Sequence, residues 1–202
     1  MTARLQVALD FLNLSEALRC ARLAVQGGVD ILEVGTPLLK SEGLEAVRAL
    51  RSEFPSMKIV CDTKTMDAGR TEMEAAAKAG ADYAVVMGAA SDSTIRECVE
   101  AAANYGFLVE VDLLGLEDPV GRAVRAAELG AHIIGIHCPI DDQMEGRDPF
   151  DTLRKVAEAV DVPVAVAGGV NSETAPDAVA AGASIVIVGG AINKAEKADE
   201  AT

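Results

Sequence analysis

AAAKAGADYAVVMG, residues 75–88, sets a helix end and a strand start side by side. An Ala-rich run carrying Lys78 stops at Gly80, and after Ala81 and Asp82 the sequence turns at once to the apolar, β-branched run YAVV. A glycine in this place takes the left-handed conformation that closes a helix and releases the chain into a strand. The same phrase returns in variants as GGVD at 27–30, LGAH at 129–132 and AGAS at 181–184. One helix-to-strand junction repeated along the chain points to a repeated unit.

Working outward from these junctions, eight strand candidates appear: LQVALD (5–10), ILEVG (31–35), KIVCDTK (58–64), YAVVMG (83–88), LVEVDL (108–113), HIIGIH (132–137), VPVAVAG (162–168) and SIVIVGG (184–190). Ala-rich amphipathic segments separate them, such as SEALRCARLAVQGG (15–28), with Ser15 as its expected N-cap and Gly27 and Gly28 as terminators. Near-continuous apolar strands alternating with helices specify a parallel sheet covered by helices. Even repetition at about 25 residues per unit predicts an α/β fold, a single-domain (β/α)8 TIM barrel. The rival, a doubly wound open sheet, lacks the G-x-G-x-x-G expected after its first strand. The last ten residues, NKAEKADEAT (193–202), read as a loose tail or as the start of a linker to a fused domain.

Half of the 202 residues are hydrophobic, only 3% are aromatic and Trp is absent, so Ala, Val, Ile and Leu must build the core. A formal charge of −14 excludes nucleic acid and anionic membranes as partners, because most of the surface would repel them. The absence of a long apolar segment predicts a soluble, cytoplasmic protein. Cys20, Cys61, Cys98 and Cys138 are far apart and in no metal-like spacing, so they are expected to be reduced, buried thiols. Tyr83, Tyr105 and Phe107 are expected to pack on helices, and no P-loop, HExxH or GxSxG motif is present.

Chemistry in a parallel barrel sits at the C-terminal ends of the strands, where polar residues are therefore informative. They are Asp10, Glu33, Asp62 and Lys64 with Asp67 just beyond, Glu110 and Asp112, His137 followed by Asp141, Asp142 and Gln143, and the pairs Gly168-Gly169 and Gly189-Gly190. Asp62 and Lys64 are two apart on a strand and so face the same side. There the Lys can stabilise an anion, and Asp62 with Glu33 on the neighbouring strand can hold a divalent ion; a structural ion pair is the rival reading. The glycine pairs after strands seven and eight suit a phosphate held by backbone N–H groups, the alternative being plain tight turns. With no Arg after Gly190, backbone donors are expected to do most of that work. His137, at the catalytic rim, is a candidate acid or base, and His132, at the opposite end of its strand, is expected to be structural.

ALD (8–10), EVGTP (33–37), DTKTMDAG (62–69), VDLL (111–114), the H-x-x-x-D-x-Q pattern from His137 to Gln143, VAGGV (166–170) and VGGAI (188–192) together resemble the 3-hexulose-6-phosphate synthases of the orotidine 5′-monophosphate decarboxylase suprafamily. The likeness covers nearly the whole chain and departs at Cys138-Pro139, where Thr-Gly is more usual. It implies a (β/α)8 aldolase joining formaldehyde to the sugar phosphate D-ribulose 5-phosphate, with Mg²⁺ or Mn²⁺ on Glu33 and Asp62. His137 would then move the proton, Lys64 would stabilise the enediolate or product alkoxide, and Asp62 would serve the same centre. Asp10, Glu33 and Asp112 would contact substrate, and Gly168, Gly169, Gly189 and Gly190 its phosphate. In a homodimer of this kind Asp67 acts across the interface. 3-Keto-L-gulonate-6-phosphate decarboxylase, from the same suprafamily, is the alternative, and a non-catalytic sugar-phosphate-binding barrel is a second.

Overall fold

In a computed structural model, which describes residues 2–195 and 197–202, eight parallel strands close into a barrel in sequence order. They are β1 (Arg4–Leu9), β2 (Ile31–Val34), β3 (Lys58–Thr65), β4 (Tyr83–Met87), β5 (Leu108–Asp112), β6 (Ile133–His137), β7 (Val164–Ala167) and β8 (Ile185–Val188). The helices are α1 (Leu14–Gly27), α2 (Thr36–Glu42), α3 (Glu45–Glu53), α4 (Gly69–Ala79), α5 (Asp92–Tyr105), α6 (Pro119–Glu128), α7 (Ile140–Met144), α8 (Phe150–Ala159), α9 (Ala175–Ala180), α10 (Gly190–Asn193) and α11 (Ala198–Ala201). The predicted (β/α)8 barrel is thus the observed fold.

The repeated phrase does the same physical work each time. Gly28, Gly80, Gly130 and Gly182 all have φ between 95° and 107°. In each copy the residue after the glycine sends its N–H back to the last helical turn: Val29 to Ala24, Ala81 to Ala76, Ala131 to Ala126 and Ala183 to Ala178, all at 3.0–3.1 Å. These bonds satisfy carbonyls that a helix end would otherwise orphan. The residue that closes the phrase then joins the neighbouring strand, as in Asp82 N–H to Ile59 O at 2.8 Å. Three of these closing side chains also accept a backbone N–H from that strand: Asp30 from Leu5, Asp82 from Ile59 and His132 from Val109. That bond, at 3.1 Å for His132, is the structural role expected of this histidine.

Alternation along each strand sorts the side chains into two layers. Outward residues such as Val7, Leu9, Val109, Val111, Ile134 and Val186 are buried against the helices. Inward residues at the N-terminal end, among them Ile31, Val60, Ile133 and Ile185, fill the bottom of the barrel. Tyr83 belongs to this inner layer, its hydroxyl accepting from Arg4 at 3.0 Å, and so does not pack on a helix as expected. Towards the C-terminal end the inward residues become acidic or small, and the barrel opens into a cavity.

Two local readings are corrected. Asn13, not Ser15, caps α1: its Oδ1 accepts from Ser15 N at 2.9 Å and Glu16 N at 3.3 Å, because the helix begins at Leu14. Within 193–202, the segment expected to be loose, residues 198–201 form α11 against α1, and Ala198 is buried. All four cysteines are free and buried, and among the described residues no helix is long and apolar enough to cross a membrane.

Candidate active site

The cavity at the C-terminal mouth measures about 710 Å³ and is lined by residues from all eight strand ends. Asp10, Glu33, Asp62, Lys64, Asp112, His137, Gly168, Gly169, Gly189 and Gly190 all line it, so these predicted site residues converge on one space. Asp67 does not. It is exposed, its Oδ1 accepts from Ala68 N at 2.7 Å, and it lies outside the cavity of its own chain.

Lys64 meets Asp62, as the two-residue spacing predicts, but not along a regular strand. The β3–β4 register shifts between Cys61 and Thr65, and Lys64 has φ +45°. Such a backbone costs a non-glycine residue about 1 kcal/mol or more. Several contacts hold the bend: Thr63 Oγ1 donates to Val85 O at 2.6 Å, Thr65 Oγ1 donates to Glu72, and Lys64 Nζ lies 2.9 Å from Asp112 Oδ2 and 3.1 Å from Asp62 Oδ2.

Asp112 is the hub of the site. Its Oδ2 accepts from Lys64 and lies 3.3 Å from His137 Nδ1, while its Oδ1 accepts from Leu114 N at 2.8 Å. Burial alone would raise this carboxyl, but the His137 hydrogen bond and the Lys64 charge outweigh it and hold its pKa down to about 2. Burial likewise opposes the Lys64 charge, yet Asp112 and Asp62 overcome it and keep the ammonium protonated.

On the other side of the mouth, burial raises Glu33 well above the usual carboxylate range, aided by Asp62 and Asp10 and opposed by Gln6. Gln6 Nε2 donates to Glu33 Oε2 at 2.7 Å, and Thr36 Oγ1 donates to Asp62 Oδ2 at 2.6 Å. Burial and Asp62 also raise Asp10. A side chain at Gly35 would collide with Asp10 Oδ1, so that glycine makes room for the carboxylate.

Acids therefore outnumber cations across the mouth, and the donors near Glu33 and Asp62 are hard oxygens. This set fits a divalent cation. Among the described residues no trio of His, Cys, Asp or Glu side chains closes a metal site. Two carboxylates completed by water and substrate oxygens is the ordinary manner of holding Mg²⁺.

The glycine pairs line the β7–β8 side. Gly168 and Gly169 have φ of 99° and 74°, and a Cβ at Gly168 would run into the Cys138 backbone. Beside these backbone groups, expected to do most of the work, Lys194, one turn past Gly190 at the end of α10, also lines the cavity. Gln6, Thr36 and Lys194 line the cavity and were not singled out by the sequence reading, which had named Glu110 without giving it a role. Gln6 was open to it through strand alternation, lying two residues below Ala8. Lys194 was open to it only through the helical spacing from Gly190.

The model of the orotidine 5′-phosphate decarboxylase / HUMPS family matches residues 3–202. The chain belongs to this family. Like its relatives it is an enzyme, and curated proteins that it matches at about 40% identity are named as 3-hexulose-6-phosphate synthases. The one from Methylomonas aminofaciens is 43% identical over 93% of this chain and 90% of that protein. The solved 3-hexulose-6-phosphate synthase from Salmonella typhimurium is 38% identical with a TM-score of 0.94, covering 98% of this chain and 94% of that one. A solved 3-keto-L-gulonate-6-phosphate decarboxylase from Vibrio cholerae is less similar, 28% identical with a TM-score of 0.84, covering 100% of this chain and 94% of that one.

Proposed function

We propose that this chain is a 3-hexulose-6-phosphate synthase, an aldolase that reversibly joins formaldehyde to D-ribulose 5-phosphate to give D-arabino-hex-3-ulose 6-phosphate. The observation that carries the reading is one buried oxygen, Asp112 Oδ2, shared between Lys64 Nζ at 2.9 Å and His137 Nδ1 at 3.3 Å. Removing a proton beside a ketose carbonyl needs a base at the C–H bond and a cation at the oxygens. Asp112 fixes both side by side. With Nδ1 turned to Asp112, the Nε2 edge of His137 takes the C1 proton. Lys64 has spent two of its three N–H groups on Asp112 and Asp62, and gives the third to the enediolate oxygen.

Asp10 and Glu33 accept substrate hydroxyls. The phosphate takes backbone N–H groups of Gly168, Gly169, Gly189 and Gly190, with Lys194 supplying a charge-assisted contact. Glu33 and Asp62 would hold Mg²⁺ or Mn²⁺, which would supply Lewis-acid stabilisation of developing negative charge. The working unit in this reading is a homodimer in which Asp67 reaches the partner's mouth. The compartment is the cytoplasm, where reduced thiols such as these four persist.

Purified protein given formaldehyde and ribulose 5-phosphate should consume both with Mg²⁺ present and neither once the metal is chelated. Release of CO2 from 3-keto-L-gulonate 6-phosphate, with no loss of formaldehyde, would move the assignment to the decarboxylase.

A further inference from the structure

Glu110 has no part in the scheme above, yet it is among the most confined polar groups of the site. It lies two residues before Asp112 on β5, so its side chain points into the barrel about 7 Å deeper. It is 5% exposed and lines the floor of the cavity. Among the described residues its carboxyl has no hydrogen-bond partner, unlike Glu33, which has Gln6. The neighbouring strand makes room for it: a Cβ at Gly135 on β6 would collide with Glu110 Oε1. Ala8 and Ala167 are the other small residues of this floor. Its oxygens are open to the cavity, so a ligand there can complete them.

We propose that Glu110 is the general acid of the carbon–carbon bond-forming step, donating a hydrogen bond to the oxygen of the one-carbon aldehyde seated on the barrel floor. This rests on the aldolase reading and completes it. A flat enediolate spanning Lys64 and the phosphate corner presents one face to the mouth and the other to Glu110. As C1 of the enediolate bonds to the aldehyde carbon, the C=O π pair moves onto the aldehyde oxygen, which takes the Glu110 proton. The carboxylate left behind regains a proton from water, and the proton that His137 took from C1 returns to water, so the overall reaction consumes none. Burial, followed by the nearby charges of Asp112 and Asp62, pushes Glu110 up to about 8 against the opposing Lys64. A carboxyl shifted towards the working pH is the efficient kind of acid.

The test separates the two halves of the reaction in wild type and Glu110→Gln. Exchange of the C1 hydrogen of ribulose 5-phosphate with D2O, without formaldehyde, reads enediolate formation, and formaldehyde consumption reads the full condensation. Gln keeps the size and a donor but has no proton to give. Condensation kcat should fall about 100-fold further than exchange does, with a much smaller change in formaldehyde KM. Retained exchange also shows that the variant is folded. If exchange and condensation fall in step, or if neither falls, Glu110 is not the acid. A wild type that shows neither exchange nor condensation overturns the aldolase reading itself, and this inference with it.

Discussion

Replacing Lys64 with Met keeps the length of the side chain and removes the cation between Asp112 and Asp62. At 2.9 and 3.1 Å the two attractions are each about 5 to 6 kcal/mol at an effective dielectric of about 20. Desolvation of the partners cancels part of this, and breaking a buried pair costs about 3 to 5 kcal/mol net. The acids recover some of that loss by taking up protons, since Asp112 no longer has its neighbour to hold it down to about 2. Lys64→Met should therefore lose about 2 to 4 kcal/mol of stability at pH 7, read from urea unfolding. In the variant Asp112 loses the Lys64 charge that lowers it, and its folded pKa rises. The folded state then binds more protons than the unfolded one, and the deficit shrinks as pH falls from 7 towards 5. Loss of the cation at the developing oxyanion should lower kcat about 100- to 1,000-fold. A variant as stable as wild type across this range, with kcat within about threefold, would refute the account of the cluster.

Lys194→Ala should raise KM for the sugar phosphate about tenfold with a smaller change in kcat, as measured by steady-state kinetics, because one charge-assisted contact to phosphate is lost. Asp112, held at about 2 against an ordinary 3.8, adds about 2 kcal/mol of stability that is complete above pH 4 and vanishes as pH falls through 2. The difference in urea midpoint between wild type and Asp112→Asn should narrow over that window, and a constant difference would contradict the assignment. Mixing Asp67→Ala chains with Lys64→Met chains should restore about a quarter of wild-type turnover, since half of a random mixture is hybrid with one intact site. No recovery would return Asp67 to its own chain or remove it from the chemistry.

The fold was legible because one phrase does one job repeatedly: the Gly of GGVD, AGAD, LGAH and AGAS is left-handed in each copy, and that geometry depends on only a few adjacent residues. The acids of the mouth were legible through strand ends and alternation. The role of Asp112 was not, because its contact with Lys64 spans 48 residues of sequence and depends on Lys64 leaving the regular strand at φ +45°. Nothing local announces that bend, which is held by Thr63, Thr65 and the ion pairs together. Glu110 read as one more acid on a strand, since its isolation depends on Gly135 of the next strand. The N-cap of α1 was misplaced by two residues because Asn13 and Ser15 are both good caps, and only the backbone decides between them.

The central claim is that this mouth forms a carbon–carbon bond to a one-carbon aldehyde. ¹³C-labelled formaldehyde, incubated with the protein, ribulose 5-phosphate and Mg²⁺ and followed by NMR, tests it directly. The account predicts that the label moves into the terminal hydroxymethyl carbon of a six-carbon ketose phosphate, and that chelation stops it. Label that stays in hydrated formaldehyde, while the same protein releases CO2 from 3-keto-L-gulonate 6-phosphate, would contradict it.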